Sequence, residues 1–155
     1  METGTRILDK SQELFLRYGI KSITMDDIAR ELGISKKTLY QYVDNKADLI
    51  QQIVVRFIQE EKERIGEICR QSTDAIEEMF NIASHVTQHL RSMAPSTMYD
   101  LQKYYREAWK MIEALNQQHI YNIIRENIEK GIRQGIYRKD INPDIMPNYM
   151  WARTP

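Results

Sequence analysis

A single cysteine, Cys69, among 155 residues excludes an intramolecular disulfide framework. It falls on an apolar helical stripe, which fits a small buried hydrophobe in a reducing compartment. No apolar run approaches the roughly 20 residues that a membrane span needs, and the amino terminus lacks a signal-peptide pattern. The chain is therefore expected to be soluble and cytoplasmic, with no membrane partner. An excess of charge of one sign is also missing, since 22 basic residues balance 22 acidic ones. A nucleic-acid binder is often basic overall, so this balance counts weakly against that class. Placement matters more than the sum, because phosphates respond to charge within a Debye length, ~8–10 Å. No Gly-rich phosphate loop, nucleophile elbow, zinc-ligand cluster or carboxylate pair stands out. No catalytic residue, metal site or cofactor is assigned.

Strand alternation, internal repeats and low-complexity segments are absent too, and the chain reads as all-α. Ile7, Leu8, Ser11, Leu14, Phe15 and Tyr18 repeat at three-four spacing on a first helix that Gly19 ends. After residue 45 a long helix carries Leu49, Ile50, Ile53, Val54, Phe57, Ile58, Ile65 and Ile68 on one stripe, with Asp44 or Asn45 as its cap. The run Glu60, Glu61, Lys62, Glu63, Arg64 reads as its solvated face. A helix from about Thr73 to Arg91 turns Ile76, Met79, Phe80, Ala83, Val86, Thr87 and Leu90 inward. Pro95 breaks that pattern, and another helical stretch begins near Ser96. A long helix then runs to about Gln134, with Gly135 beyond its end and Ile136 making the apolar contact after it. Asn142 caps a new start, with Pro143 at its first position, an Ile141–Met146 staple, and Pro147 limiting its regularity.

The richest stretch is TMDDIARELGISKKTLYQYVDNK, from Thr24 to Lys46. Thr24 caps a short helix, and Asp27 holds the reciprocal capping-box position. Ile28, Ala29 and Leu32 face inward, with Ala29 small enough for a crossing helix. Gly33 supplies a left-handed turn, Ile34 plugs the core, and Ser35 caps a second helix running roughly from Lys36 to Val43. With Leu39 and Val43 inward, Lys36, Lys37, Thr38, Tyr40, Gln41 and Tyr42 share the outer surface. This spacing is that of a helix-turn-helix, whose second helix enters the DNA major groove. The same pattern also occurs in plain helical hairpins, but the cap, small residue, turn glycine and polar face all agree here.

Residues 1–50 resemble the N-terminal DNA-binding domain of the TetR (tetracycline-repressor) family of bacterial transcription regulators. The resemblance rests on Tyr18-Gly19, on Thr24 with Ile28-Ala29, on Gly33-Ile34-Ser35, on Leu39-Tyr40 with Tyr42, and on Asn45-Lys46 with Leu49. Val43 stands where the family often has Phe. The resemblance implies a helix-turn-helix domain over residues 1–46 and a helical effector-binding and dimerisation domain over 47–155, with a break near Tyr105. It also implies a nucleoid-associated repressor, released from a near-palindromic operator by a small-molecule effector. In that family two further long helices pair subunits, and the chain reaches Pro155 as the first of them begins. A C-terminal shortening and a homodimeric full-length parent are expected on that basis.

The chemistry assigns roles within this frame. Lys36, Lys37 and Lys46 can neutralise phosphates. Tyr40 and Tyr42 resemble the family's phosphate-contacting tyrosines, and Thr24 and Ser35 sit at helix starts that offer amides to phosphate. Lys36, Thr38 and Gln41 are candidates for base edges. For the effector, the large soft and aromatic residues Met79, Phe80, Met98, Tyr99, Tyr104, Tyr105, Trp109 and Met111 are candidate lining, against the alternative that they are ordinary core. His85 and His89 have an i, i+4 metal spacing but no third ligand, so they read as surface or pocket-rim groups. His119 is remote from both. A DNA-binding assembly protein without an effector, or a small-molecule enzyme, are the alternative functions.

Overall fold

The computed structural model describes residues 2–145. Its elements, in chain order, are α1 (Thr3–Tyr18), α2 (Met25–Leu32), α3 (Lys36–Leu39), α4 (Lys46–Gln71), α5 (Ala75–Ser92), α6 (Pro95–Tyr104), α7 (Arg106–Ala114), a π-helical segment (Leu115–Ile120) and α8 (Tyr121–Arg133). No strand occurs among the described residues. Met146 and Pro147, and with them the expected staple and last helix, lie outside those residues. Asn142 Oδ1 accepts from the Asp144 amide at 2.9 Å, at the position where a helix cap was expected, and residues 143–145 form a turn.

Two compact units emerge. The first combines the chain up to Ile58 with His89–Ile112, and the second combines Gln59–Gln88 with the chain from Glu113 onward. The N-terminal unit thus takes in α6 and most of α7 beside the first three helices and the start of α4. Its core gathers Ile7, Phe15, Ile20, Ile28, Leu39, Leu49 and Ile50, and Leu101 and Ala108 join from α6 and α7. Tyr18 departs from the expected inward stripe: it is 51% exposed, because α1 ends there and the chain turns at Gly19. The break expected near Tyr105 is present, where φ −129° and ψ 61° interrupt the helical hydrogen bonding.

The second unit has a small apolar cluster of Ile65, Ile82 and Ile123, with Ile68, Cys69 and Ile120 packed on it. Burial raises the Cys69 thiol above its ordinary value, and the Glu78 charge adds to that. The buried face of α5 differs from the expected one. Ala75, Glu78 and Ile82 are buried, while Ile76, Phe80, Val86 and Leu90 are exposed. A polar network sets this orientation. Asn127, fully buried, donates to the Ala75 carbonyl and to the Glu78 carboxylate, and Lys130 donates to the other Glu78 oxygen at 2.6 Å. Burying Glu78 is tolerable because both its oxygens are bonded.

Beyond α8 the contact expected of Ile136 is made instead by Tyr137. Ile136 is exposed, whereas Tyr137 folds back and donates to Asn127 Oδ1 at 3.1 Å. A β-carbon at position 131 would overlap the Tyr137 ring, so Gly131 is what lets that ring lie on α8. Glu61 is also not the purely solvated group expected. Its carboxylate bonds His85 Nε2 at 3.0 and 3.1 Å.

Candidate nucleic-acid interface

The reader begins with a closed capping box. Thr24 Oγ1 accepts from the Asp27 amide at 3.1 Å, and Asp27 Oδ2 accepts from the Thr24 amide at 2.8 Å. Hydrogen bonding to the Asp27 carboxylate, first from the Thr24 amide and then from the Thr24 hydroxyl, holds that carboxyl below its ordinary value. Asp26 and Asp27 both sit in the first turn of α2, where its dipole favours negative charge. At the other end Gly33 takes φ 65°, ψ 32°, a left-handed conformation that a side chain resists, and the Ile34 amide returns to the Ala29 carbonyl at 3.0 Å.

Ser35 then caps α3, accepting from the Thr38 amide at 3.0 Å, while its hydroxyl lies 2.9 Å from the Thr38 hydroxyl. α3 itself is shorter than the expected Lys36–Val43 helix. It closes at Leu39, and the Gln41 and Tyr42 amides bond three residues back, to Thr38 and Leu39. Leu39 and Val43 both point inward through this tightened turn, at 0% and 3% exposed.

Most expected contact residues stay outward. Lys36, Lys37, Tyr40, Gln41 and Tyr42 are exposed, Thr24 and Ser35 are exposed at their helix starts, and Thr38 is half-buried. Lys36 pairs with Asp26 at 3.1 Å, an exposed ion pair of the kind that contributes little and that a phosphate or base can displace. Lys46 departs from its expected role. Its ammonium turns inward and donates to the carbonyls of Ile20, at 2.6 Å, and Ile23. Burial lowers the Lys46 pKa, opposed by attraction to Asp100 and Asp27. It serves the α1–α2 turn rather than a phosphate.

Sequence reading also missed Asp100 and Thr97. Asp100 Oδ2 accepts from the Ile20 and Lys21 amides at 3.0 and 2.8 Å, and Thr97 Oγ1 donates to the Phe15 carbonyl at 2.7 Å. The available signal was a polar pair at three-residue spacing beside Leu101 on the inward side of α6. Arg56 was missed as well, and it ties α4 to α1 through Asp9 at 2.7 Å and Gln12 at 2.9 Å.

The residues proposed to line an effector pocket are dispersed. Met98, Tyr105 and Trp109 pack on the core of the N-terminal unit, and Met111 does the same. Tyr99 and Tyr104 are 55% and 44% exposed in that unit, where Lys103 donates to the Tyr99 hydroxyl at 2.7 Å. Met79 and Phe80 belong to the second unit, and Phe80 is 70% exposed. A cavity of about 300 Å³ in the second unit is lined by other groups: Cys69, Glu78, Ile123, Glu126, Glu129, Lys130 and Arg133. His85 is engaged with Glu61, and His89 stacks on Phe57 with ring centroids 5.0 Å apart. No group of three metal-ligating side chains occurs among the described residues. None of the described helices is long and apolar enough to cross a membrane.

Comparison with known proteins agrees with this geometry. The family profile described as bacterial regulatory proteins, tetR family, matches residues 7–53, which span α1, the reader and the start of α4. A Bacillus subtilis protein, the HTH-type transcriptional regulator YvaF, is 30% identical over 141 residues, covering 90% of this chain and 73% of that protein. Among solved structures, a transcriptional regulator from Saccharomonospora viridis in complex with choline superposes with a TM-score of 0.81 at 21% identity, over 96% of this chain and 79% of that one. A TetR-family regulator from Agrobacterium tumefaciens superposes with a TM-score of 0.79 at 18% identity, over 96% and 81%. The chain belongs to the tetR family of bacterial regulatory proteins and is a DNA-binding transcriptional regulator of that family.

Proposed function

We propose that this regulator is a repressor that reads DNA through α3 and the turn after it, as a homodimer on a near-palindromic operator. The observation that carries the reading is the division of residues 36–43. Leu39 and Val43 are buried, whereas Lys37, Tyr40, Gln41 and Tyr42 are exposed on a segment capped at its start by Ser35. Lys37, Tyr40 and Tyr42 take phosphates, which position the protein, and Lys36, Thr38 and Gln41 face base edges, which specify sequence. Thr24 and Ser35 bring helix-start amides to the backbone. Lys46 is left out of the contact set because two carbonyls hold its ammonium.

Repression is relieved by a small molecule taken into the second unit. The half-open pocket there supports this reading by its volume alone, about 300 Å³, at the lower end of ligand pockets. The choline-bound relative supports a small organic ligand in this fold. Ligand then shifts a population in which α4, which starts directly after the reader, changes its tilt.

Selection of bound sequences from random DNA tests the proposal, followed by titration against the selected and scrambled duplexes at several salt concentrations. An enriched motif with two inverted half-sites is expected, and recovery of no motif would sink the reading. Release of the selected duplex by a small amine or acid would support the effector step. Unchanged affinity across a panel of such ligands, none of which raises the melting temperature, would remove it.

A further inference from the structure

We propose that Asp100 is a positioning residue for DNA reading, although it lies on α6 and does not itself touch DNA. The proposal rests on the DNA-reading role of the Thr24–Lys46 segment. That segment is bracketed in sequence by the α1–α2 turn before it and by Lys46 at its end. Lys46 joins the two brackets directly, by donating to the Ile20 and Ile23 carbonyls of the turn. Asp100 holds the same turn from its amide side, with one carboxylate oxygen, Oδ2, accepting from both Ile20 and Lys21.

The surroundings leave the carboxylate little choice of partner. Asp100 is 5% exposed, so an unbonded charge there would carry a large desolvation cost. Its two amides lie 79 and 80 residues away in sequence, so these bonds are tertiary rather than local capping. The adjoining residues of α6 and its entry repeat the pattern. The Ala94 amide donates to the Leu16 carbonyl at 2.7 Å and Thr97 Oγ1 to the Phe15 carbonyl at 2.7 Å, both near the free C-terminal end of α1. α6 thus grips the end of α1 by its carbonyls and the following turn by its amides. Lys46 lies within reach of the Asp100 charge, which attracts it.

The consequence is mechanical. The turn sets where Thr24 begins α2, and Lys46 sets where the reader hands over to α4. With both tied to one short loop, and that loop tied to α6, the outer face of residues 36–42 has a fixed placement on α1. A reader displaced by about an ångström loses hydrogen bonds to base edges while keeping its phosphate attraction, which depends weakly on direction. Loss of Asp100 should therefore damage specificity rather than general affinity for DNA.

The test compares the wild-type chain with Asp100→Ala and Asp100→Asn. Affinities are measured for the selected duplex and a scrambled one, across a salt series, with melting curves run alongside. Asp100→Ala should cost ~10-fold or more on the selected duplex, with scrambled affinity within about twofold and the salt slope unchanged. Asp100→Asn keeps a carbonyl oxygen for the two amides and should restore most of the specificity. Equal loss on both duplexes, or full specificity in a folded Asp100→Ala, overturns the proposal.

Amide spectra decide the matter independently of any DNA. In Asp100→Asn, or in Asp100→Ala where it folds, resonances and exchange rates should change at Ile20 and Lys21 and also across residues 35–43. Changes confined to the turn would overturn the positioning role. A wild-type chain that selects no sequence would remove the reading role beneath the proposal, and the amide comparison would still show whether Asp100 governs the reader's geometry.

Discussion

The ring of Tyr42 lies against the first turn of α1, where a β-carbon at Gly4 would come within 3.3 Å of Tyr42 Cδ1. Tyr42 is thus partly a junction residue, while its 43% exposure leaves it available to a phosphate. Tyr42→Phe separates the two roles, since it keeps the ring contact and removes only the hydroxyl. The melting temperature should hold, and affinity should fall several-fold for selected and scrambled duplexes alike, because a phosphate contact carries no sequence information. A fall limited to the selected duplex would reassign Tyr42 to a base edge.

Lys36 and Lys37 are adjacent, yet only Lys36 has an acidic partner, Asp26 at 3.1 Å, among the ion pairs of the described residues. Their substitutions should behave differently. Lys37→Ala should weaken binding about uniformly and reduce the salt slope by roughly one. Lys36→Ala should relax preference at one position of the motif, measured by repeating the selection with the variant. If both variants change only the salt slope, neither lysine reads a base.

Much of the reader was legible because its determinants are local. The Thr24–Asp27 box, the left-handed Gly33 and the Ser35 cap each depend on residues within a few positions, and each appears as the spacing implies. Lys46 and Asp100 were not legible in the same way. A lysine after a helix-turn-helix looks like a phosphate ligand until the fold places the Ile20 and Ile23 carbonyls beside it. The α5 face failed for a related reason. Apolar periodicity marks a stripe, but the partner that buries a face is tertiary information. Here the Asn127 and Lys130 bonds to Glu78 decided the rotation of the helix. The π-helical segment at Leu115–Ile120 is present without any breaker residue in it, and we have no sequence signal that accounts for it.

His119 lies in that π-helical segment with its Nε2 buried and unbonded. Burial lowers its pKa from the ordinary 6.5, and the Lys62 charge lowers it further, against a smaller opposing pull from Glu126. The unfolded chain therefore takes up this proton before the folded one. Stability from this group is complete above about pH 6.5 and is lost as pH falls towards the lowered folded value. His119→Leu removes that proton uptake. Its melting temperature should decline less than wild type between about pH 7.5 and about pH 5.5. Parallel declines in the two proteins would show that His119 is not the titrating group.

The rotation of α5 is open to a direct test through two residues two positions apart. Ile82 is 8% exposed and packs with Ile65 and Ile123, while Phe80 is 70% exposed on the opposite side of the helix. Ile82→Ala should cost about 2–5 kcal/mol, the usual range for a large-to-small change in a packed cluster. Phe80→Glu, a far more drastic change chemically, should stay within about 0.5 kcal/mol, as for other surface substitutions. Denaturant titration of both variants reads the two values on one scale, provided the slopes match wild type. The opposite ranking would mean that the apolar stripe through Ile76, Phe80 and Leu90 faces the interior in solution. The Glu78–Asn127–Lys130 network would then have to be broken as well, since one helix cannot bury both faces in a unit of this size.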